Sequence, residues 1–172
     1  AHSLHFNTEA EIIASYNKTP HNVPWFIHLA EGTDEVAKSE YKRLKALGCI
    51  GKNTVIVHGV GMNREDVEDA VQNTRGLVWC PTTNIYLLDK TIDLIWLWRK
   101  LGGHVAIGSD SRLTAMGDFI EEALFARFMK GCDVNCVEEA IRYRPIQMLE
   151  LRDIGHLEIG AFSDFYAKKS TG

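Results

Sequence analysis

The sequence predicts an α/β fold in which the chain forms part of a (β/α)₈ barrel. Four hydrophobic runs rich in Val, Ile, Leu and Trp are typical of strands that are buried on both faces. The runs start near residues 25, 54, 77 and 104, so the intervals are 29, 23 and 27 residues. A barrel of about 250 residues assigns about 31 residues to each of its eight units, which is close to this spacing. The four runs cover residues 25–30, 54–60, 77–84 and 104–110.

Helical segments are predicted before and between these runs, and after the last one. Thr8, Asn63 and Asp118 are expected to cap three of these helices, and the apolar residues recur at helical intervals. Strands that alternate with helices imply a parallel sheet with right-handed crossovers. The predicted helices cover residues 8–16, 33–47, 64–73, 91–101 and 118–131, and a sixth begins at Asn135 and is interrupted at Pro145.

The number of units is smaller than a closed barrel requires. Four clear units are present where eight are needed, and residues 1–6 are interpreted as the end of one more strand. A partial barrel would leave two parallel sheet edges unpaired. Two explanations remain open: the chain is the C-terminal portion of a longer barrel, which we favour, or the fold is an open doubly wound sheet that binds a nucleotide.

Composition and charge exclude several classes of function. The chain has 172 residues, of which 45% are hydrophobic and 24% charged, as in ordinary globular domains. A net charge of −4 with no basic stripe argues against nucleic-acid binding. No apolar run reaches the roughly 20 residues of a membrane helix. The four cysteines are irregularly spaced, so reduced thiols in a cytoplasmic protein are expected.

Polar residues end the hydrophobic runs, and their types are those of a metal-dependent site. His28 and His58 offer imidazole nitrogens, and Asp110 ends the last run. Glu31 follows His28 by three residues, where a carboxylate can move the proton of an activated water. Asn84 ends the third run and is expected to line the pocket. The alternatives are core histidines and helix-capping carboxylates, but a common rim for all these residues favours a site.

Four motifs resemble the amidohydrolase superfamily, most closely its deaminase and chlorohydrolase branch. They are His28-Leu-Ala-Glu31, Val57-His58-Gly59, Cys80-Pro-Thr-Thr-Asn84 and Gly108-Ser-Asp110. The resemblance implies a distorted (β/α)₈ barrel that holds one divalent metal, with zinc expected before iron. It assigns residues 1–154 to about strands five to eight of the barrel, and residues 155–172 to a return segment toward a small β-sandwich.

The resemblance also implies roles for the polar residues. His28 and Asp110 would be metal ligands, and Asp110 would also take a proton from the attacking water. Glu31 would be the proton shuttle, and His58 would hold the attacking hydroxide or add a ligand. Substrate contacts are expected from His2, Asn84, Arg112 and Thr114.

The implied activity is hydrolytic deamination of an amino-substituted heterocycle, a small-molecule substrate, by a metal-activated water. Dechlorination or amide hydrolysis would use the same residues. The family's first strand carries a His-x-His pair of ligands that is missing here, so the chain alone is expected to be inactive without the N-terminal half of the barrel. A decayed, non-catalytic scaffold is the alternative from another class. A homo-oligomer is also expected.

Overall fold

The sheet is parallel and its strands follow chain order. The computed structural model describes residues 2–151 together with residues 154, 159 and 162. Within these residues the order in the sheet is β1-β2-β3-β4-β5, so each strand pairs with the next one along the chain. The strands are β1 (His2–Ser3), β2 (Trp25–Leu29), β3 (Thr54–His58), β4 (Gly76–Trp79) and β5 (Val105–Ile107). The parallel sheet is confirmed, as is the fifth strand at the start of the chain.

Helices connect the strands, and three of their predicted N-termini are confirmed. Thr8, Asn63 and Asp118 each form a capping box with the residue three positions later. The helices are α1 (Glu9–Lys18), α2 (Glu35–Ala46), α3 (Arg64–Asn73), α4 (Pro81–Leu88), α5 (Ile95–Lys100), α6 (Phe119–Ala126), α7 (Val134–Glu138) and α8 (Arg144–Leu149), with a π-helical segment (Glu139–Tyr143) between the last two. The predicted cap at Asn135 is wrong, because Asp133 accepts the hydrogen bond from the Cys136 backbone N–H that defines the N-cap of α7.

The main hydrophobic core lies on one face of the sheet. Ile27, Ile56 and Trp79 are fully buried there and share a cluster with Trp98 of α5. Side chains of a strand alternate between the two faces, so Phe26 and His28 lie on the other face of β2. A smaller cluster on that face joins Val55, Ala106 and Met148, with Phe26 and Val78 packed against it. His28 therefore belongs to the face that a closed barrel would enclose.

The third predicted run is not a strand over its whole length. β4 ends at Trp79, and α4 begins two residues later at Pro81. Proline suits the first turn of a helix, because its fixed φ is helical and its missing N–H would have no partner there. Asn84 consequently lies within the first turns of a helix instead of at a strand end.

The prediction of four reduced thiols is wrong for one pair. The sulfur atoms of Cys132 and Cys136 are joined in a disulfide, whereas Cys49 and Cys80 are free and buried. The two residues are four positions apart, which brings their Cα atoms to 5.2 Å, within the range that a disulfide requires. Within the described residues, no helix is long and apolar enough to cross a membrane. The proposed return segment, residues 155–172, lies outside the described residues except at 159 and 162.

Candidate active site

Four of the predicted residues meet at the carboxyl edge of the sheet. His28 is near the end of β2, Glu31 is two residues beyond it, and His58 is the last residue of β3. Asp110 lies three residues beyond β5. Parallel strands bring their carboxyl ends to one edge, which is where barrel enzymes place their sites. One ligand atom each from His28, His58 and Asp110 lies within 4.8 Å of the others, and we call these three residues the ligand cluster.

Left-handed backbone conformations bring these side chains together. The register pairs His28 with Val57 and Leu29 with His58, so regular pleating would place the two histidines on opposite faces. His58 instead has a φ of 74°, and the two imidazole centroids are 5.2 Å apart. Ala30 and Asp110 also have positive φ, at 53° and 51°. Such conformations cost about 1–3 kcal/mol each in non-glycine residues and are concentrated at functional sites.

The residues of the site differ in exposure, with a fully buried side chain at the bottom and partly exposed side chains around it. The His58 side chain is 0% exposed, while Glu31, His28 and Asp110 are 26%, 30% and 23% exposed. The Nε2 atom of His28 is 3.8 Å from Oδ1 of Asp110. The Nε2 atom of His58 is 3.4 Å from Oε2 of Glu31. Both carboxylates can therefore meet solvent and substrate while His58 forms the floor.

The environment of His58 favours the neutral imidazole. Burial lowers the pKa of His58, and the nearby Glu31 carboxylate opposes this effect without reversing it. Its Nδ1 lies 2.8 Å from Oδ1 of Asn84. Its Nε2 is buried and has no hydrogen-bond partner among the described residues. A neutral imidazole with a free nitrogen is the form that binds metals.

The other predicted site residues lie at varying distances from the cluster. The His2 ring stacks on Trp25, and its Nε2 is 2.6 Å from the Ser15 hydroxyl, so it faces α1. The Thr114 hydroxyl is 3.0 Å from that of Thr83, and Arg112 is exposed on the loop after Asp110. Asn84 contacts the cluster through His58, and the backbone oxygen of His2 lies 3.3 Å from Nδ1 of His28. The roles of these four residues in substrate binding stay predictions.

Two buried carboxylates near the site were missed from the sequence. Glu40 is 1% exposed and accepts a hydrogen bond from the backbone N–H of Ala30 at 2.6 Å. Glu122 is 0% exposed and accepts hydrogen bonds from the N–H and the hydroxyl of Thr82. Burial raises the pKa of both carboxyl groups. The missed signal for Glu40 is its place on the apolar face of α2, between Ala37 and Leu44.

A large cavity lies at the opposite end of the sheet. Its volume is about 570 Å³, and Lys52, Gly76 and His104 line it at or just before the amino ends of strands. Charged groups beside this cavity already have partners within the protein. Arg75 donates hydrogen bonds to the carbonyl oxygens of Lys52 and Met148 and forms an ion pair with Glu150. This cavity is separate from the ligand cluster.

Comparison with known proteins supports the family resemblance. No protein-family model matches the chain. The 5-methylthioadenosine/S-adenosylhomocysteine deaminase of Desulfitobacterium hafniense is 28% identical over 153 residues, which cover 80% of this chain and 35% of the relative. An adenosine deaminase from Xanthomonas campestris with bound zinc superposes with a TM-score of 0.80 at 20% identity, over 95% of this chain and 41% of that one. The resemblance to the amidohydrolase superfamily is confirmed.

A second solved structure shows the same fold. An atrazine chlorohydrolase variant from Arthrobacter aurescens TC1, complexed with zinc and atraton, gives a TM-score of 0.81 at 13% identity. The match covers 93% of this chain and 39% of that chain. The described sheet therefore has the fold of part of the barrel in these structures, and the chain spans about a third of the length of its curated relative.

Proposed function

We propose that the protein is a metal-dependent hydrolase that removes an amino group from a heterocyclic ring. The observation that carries this function is the convergence of His28, His58 and Asp110 at the carboxyl edge of the sheet, with Glu31 beside them. The sequence relative named a 5-methylthioadenosine/S-adenosylhomocysteine deaminase supports deamination over the alternatives. Dechlorination and amide hydrolysis would use the same residues.

The ligand cluster fits a divalent metal, with zinc expected before iron. Two imidazoles and one carboxylate are zinc donors, and catalytic zinc sites use three protein ligands and keep a further position open. The buried Nε2 of His58 supports this assignment, because a buried polar atom without a partner costs about 1–3 kcal/mol. His28 and Asp110 would hold the metal, with His58 as a further ligand or as a hydrogen-bond partner of the attacking water. When bound, a divalent cation would make water a stronger acid and so supply a nucleophile near neutral pH.

The two carboxylates divide the proton transfers. Asp110 accepts a proton from the attacking water as its oxygen bonds to the ring carbon. Glu31 gives its proton to the ring nitrogen, takes the second proton of the water from the new hydroxyl group and passes it to the departing amine, so that the carbon–nitrogen bond breaks and ammonia leaves. Asp110 then returns its proton to Glu31 through solvent, which restores both groups. In the balanced reaction, the amino-heterocycle and water give the ring carbonyl compound and ammonia. Their partial exposure lets Glu31 and Asp110 exchange these protons with substrate and solvent.

The substrate is an amino-substituted purine, pyrimidine or triazine ring. The names of the sequence relative and of the Xanthomonas campestris neighbour favour a purine nucleoside. His2, Asn84, Arg112 and Thr114 remain the proposed substrate contacts, with Arg112 suited to an anionic group because it is exposed beside the mouth.

We also propose that a second part of the barrel completes the sheet. Within the described residues β1 and β5 are the two edges of the sheet, and an eight-stranded barrel has no edges. The N-terminal half would supply the remaining strands and the His-x-His ligand pair. A homo-oligomer and a cytoplasmic location are further expectations. Because Cys132 and Cys136 are joined in a disulfide, Cys49 and Cys80 are the free thiols that support a cytoplasmic location.

The proposed function is tested by measuring ammonia release. The protein is produced together with any sequence that flanks this chain and is loaded with zinc. Adenosine, 5-methylthioadenosine and amino-triazines form the substrate panel. Removing a general acid or base typically costs 10²- to 10⁴-fold, so Glu31→Gln and Asp110→Asn should each lower kcat by about that much. Glu35→Gln is the matched control, because its side chain is 89% exposed on α2.

Two outcomes would contradict this function. Parental rates in the Glu31→Gln and Asp110→Asn variants would remove the assigned proton transfers. A protein that releases no ammonia and carries no stoichiometric zinc or iron would instead support the non-catalytic scaffold.

A further inference from the structure

A chain of hydrogen bonds lies behind His58, on the side away from the other ligands. The Nδ1 atom of His58 is 2.8 Å from Oδ1 of Asn84, and Nδ2 of Asn84 donates to the Thr91 hydroxyl at 3.2 Å. The indole N–H of Trp79 donates to the same hydroxyl at 2.7 Å. We call Asn84, Thr91 and Trp79 the His58 relay. Asn84 and Trp79 are 0% exposed and Thr91 is partly buried, so few water molecules reach these bonds.

The direction of donation in the relay determines where His58 carries its proton. An indole nitrogen only donates, so Trp79 occupies one lone pair of the Thr91 oxygen. The amide nitrogen of Asn84 donates to Thr91, which turns the amide oxygen toward His58. An amide oxygen only accepts, so Nδ1 of His58 must be the protonated nitrogen.

We propose that Asn84, supported by Thr91 and Trp79, is a positioning residue that keeps the His58 proton on Nδ1 and leaves the Nε2 lone pair facing the ligand cluster. The use of the Nε2 lone pair for metal binding rests on the proposed function. The position of the proton is a property of the metal-free protein and is measured separately.

The far side of the imidazole agrees with this assignment. If Nε2 carried the proton, Glu31 would be the acceptor, but its Oε2 is 3.4 Å away, beyond the 2.7–3.2 Å of an N–H···O bond. Nε2 has no hydrogen-bond partner among residues 2–151. Nδ1, in contrast, has an acceptor at normal hydrogen-bond distance. An amide turned the other way would donate to Nδ1 and force a hydrogen onto Nε2, which would block a cation there.

Nitrogen NMR of the metal-free protein tests the proposal directly. Histidine labelled with ¹⁵N in the ring gives different shifts for protonated and unprotonated nitrogens, and His58→Gln identifies the His58 signals by their loss. We expect a protonated Nδ1 and an unprotonated Nε2 in the parent protein in neutral buffer. A protonated Nε2 would overturn the proposal, whatever the activity of the enzyme.

Variants separate positioning from a general structural effect. Thr91→Val removes the hydroxyl that orients Asn84, so the His58 signals should move toward the opposite tautomer. Loss of a residue that orients a metal ligand typically weakens metal binding 10- to 100-fold, and chelator competition with zinc should show a decrease in that range. Thr74→Val is the control, because it removes the hydroxyl of a different threonine, a buried one that donates to the carbonyl oxygen of Ala70 in α3.

The outcomes distinguish this role from the proposed function. Unchanged His58 signals in Thr91→Val, or equal changes in Thr74→Val, would refute the relay as the orienting element. Protonated Nδ1 in a protein that releases no ammonia would leave the relay in place and refute the deaminase.

Discussion

The buried carboxylate of Glu40 fixes the turn that separates His28 from Glu31. Its Oε2 accepts a hydrogen bond from the backbone N–H of Ala30 at 2.6 Å, and Ala30 has a φ of 53°. Glu40→Leu introduces an apolar side chain of similar size and removes the acceptor, so the Ala30 N–H would be buried without a partner. Glu40→Gln keeps an oxygen that can accept this bond.

The two variants should differ in stability by the cost of that bond. An unpaired buried donor costs about 1–3 kcal/mol, so Glu40→Leu should destabilise the protein by about 2 kcal/mol. For a chain of this size 1 kcal/mol shifts Tm by about 2–4 °C, which gives a decrease of about 4–8 °C. The Glu40–His5 pair adds little, because the His5 side chain is 45% exposed and solvent screens it. Burial raises the pKa of Glu40, so the neutral amide of Glu40→Gln should cost less than the loss of the acceptor.

Thermal unfolding of the parent and both variants, followed by circular dichroism in neutral buffer, measures this difference. The Leu variant should also lose more activity than the Gln variant, because the Ala30 turn sets the position of Glu31. Equal Tm values for Glu40→Leu and Glu40→Gln would show that the Ala30 N–H finds another partner, and the reasoning would fail.

Two further predictions concern stability. Burial raises the pKa of Glu122 above its ordinary value of 4.5, so the folded state keeps a proton that the unfolded state loses. The stabilisation from Glu122 is therefore complete below that value and decreases as the pH rises through the folded-state pKa. Urea unfolding should therefore show that Glu122→Gln becomes more stable relative to the parent between about pH 4 and pH 7. A difference that does not change with pH would contradict this. Ile56→Ala removes a fully buried side chain of the main core and should cost about 2–5 kcal/mol, whereas Val36→Ala at an exposed position of α2 should change stability by less than about 0.5 kcal/mol. Similar losses in both would mean that the Ile56 site collapses without a cavity.

The sequence predicted those features that depend on local patterns. Thr8, Asn63 and Asp118 were identified as helix starts because a capping residue satisfies backbone N–H groups within its own turn. His58 and Asp110 were grouped because parallel strands bring their carboxyl ends together, and that requires only the order of the elements.

Features that depend on tertiary contacts were not predicted. The hydroxyl of Thr91 acquires its role only when the fold brings Asn84 of α4 within hydrogen-bond distance of both Thr91 and His58. The start of α4 at Pro81 is not evident from the strand pattern, because residues 80–84 follow β4 directly. Proline at position 81 indicates the helix only when it is interpreted as a first-turn residue. The Cys132–Cys136 bond depends on a helical turn that the spacing alone does not reveal.

The chain-order sheet has a consequence for how such a protein changes its specificity. Each strand hydrogen-bonds to its immediate successor, so no connection has to pass over another strand. Residues 111–117, which follow Asp110, can therefore lengthen, shorten or be exchanged without altering the pairing that holds His28 and His58. Natural or engineered diversification should concentrate in this segment, where a new pocket wall can be fitted around an unchanged chemical centre.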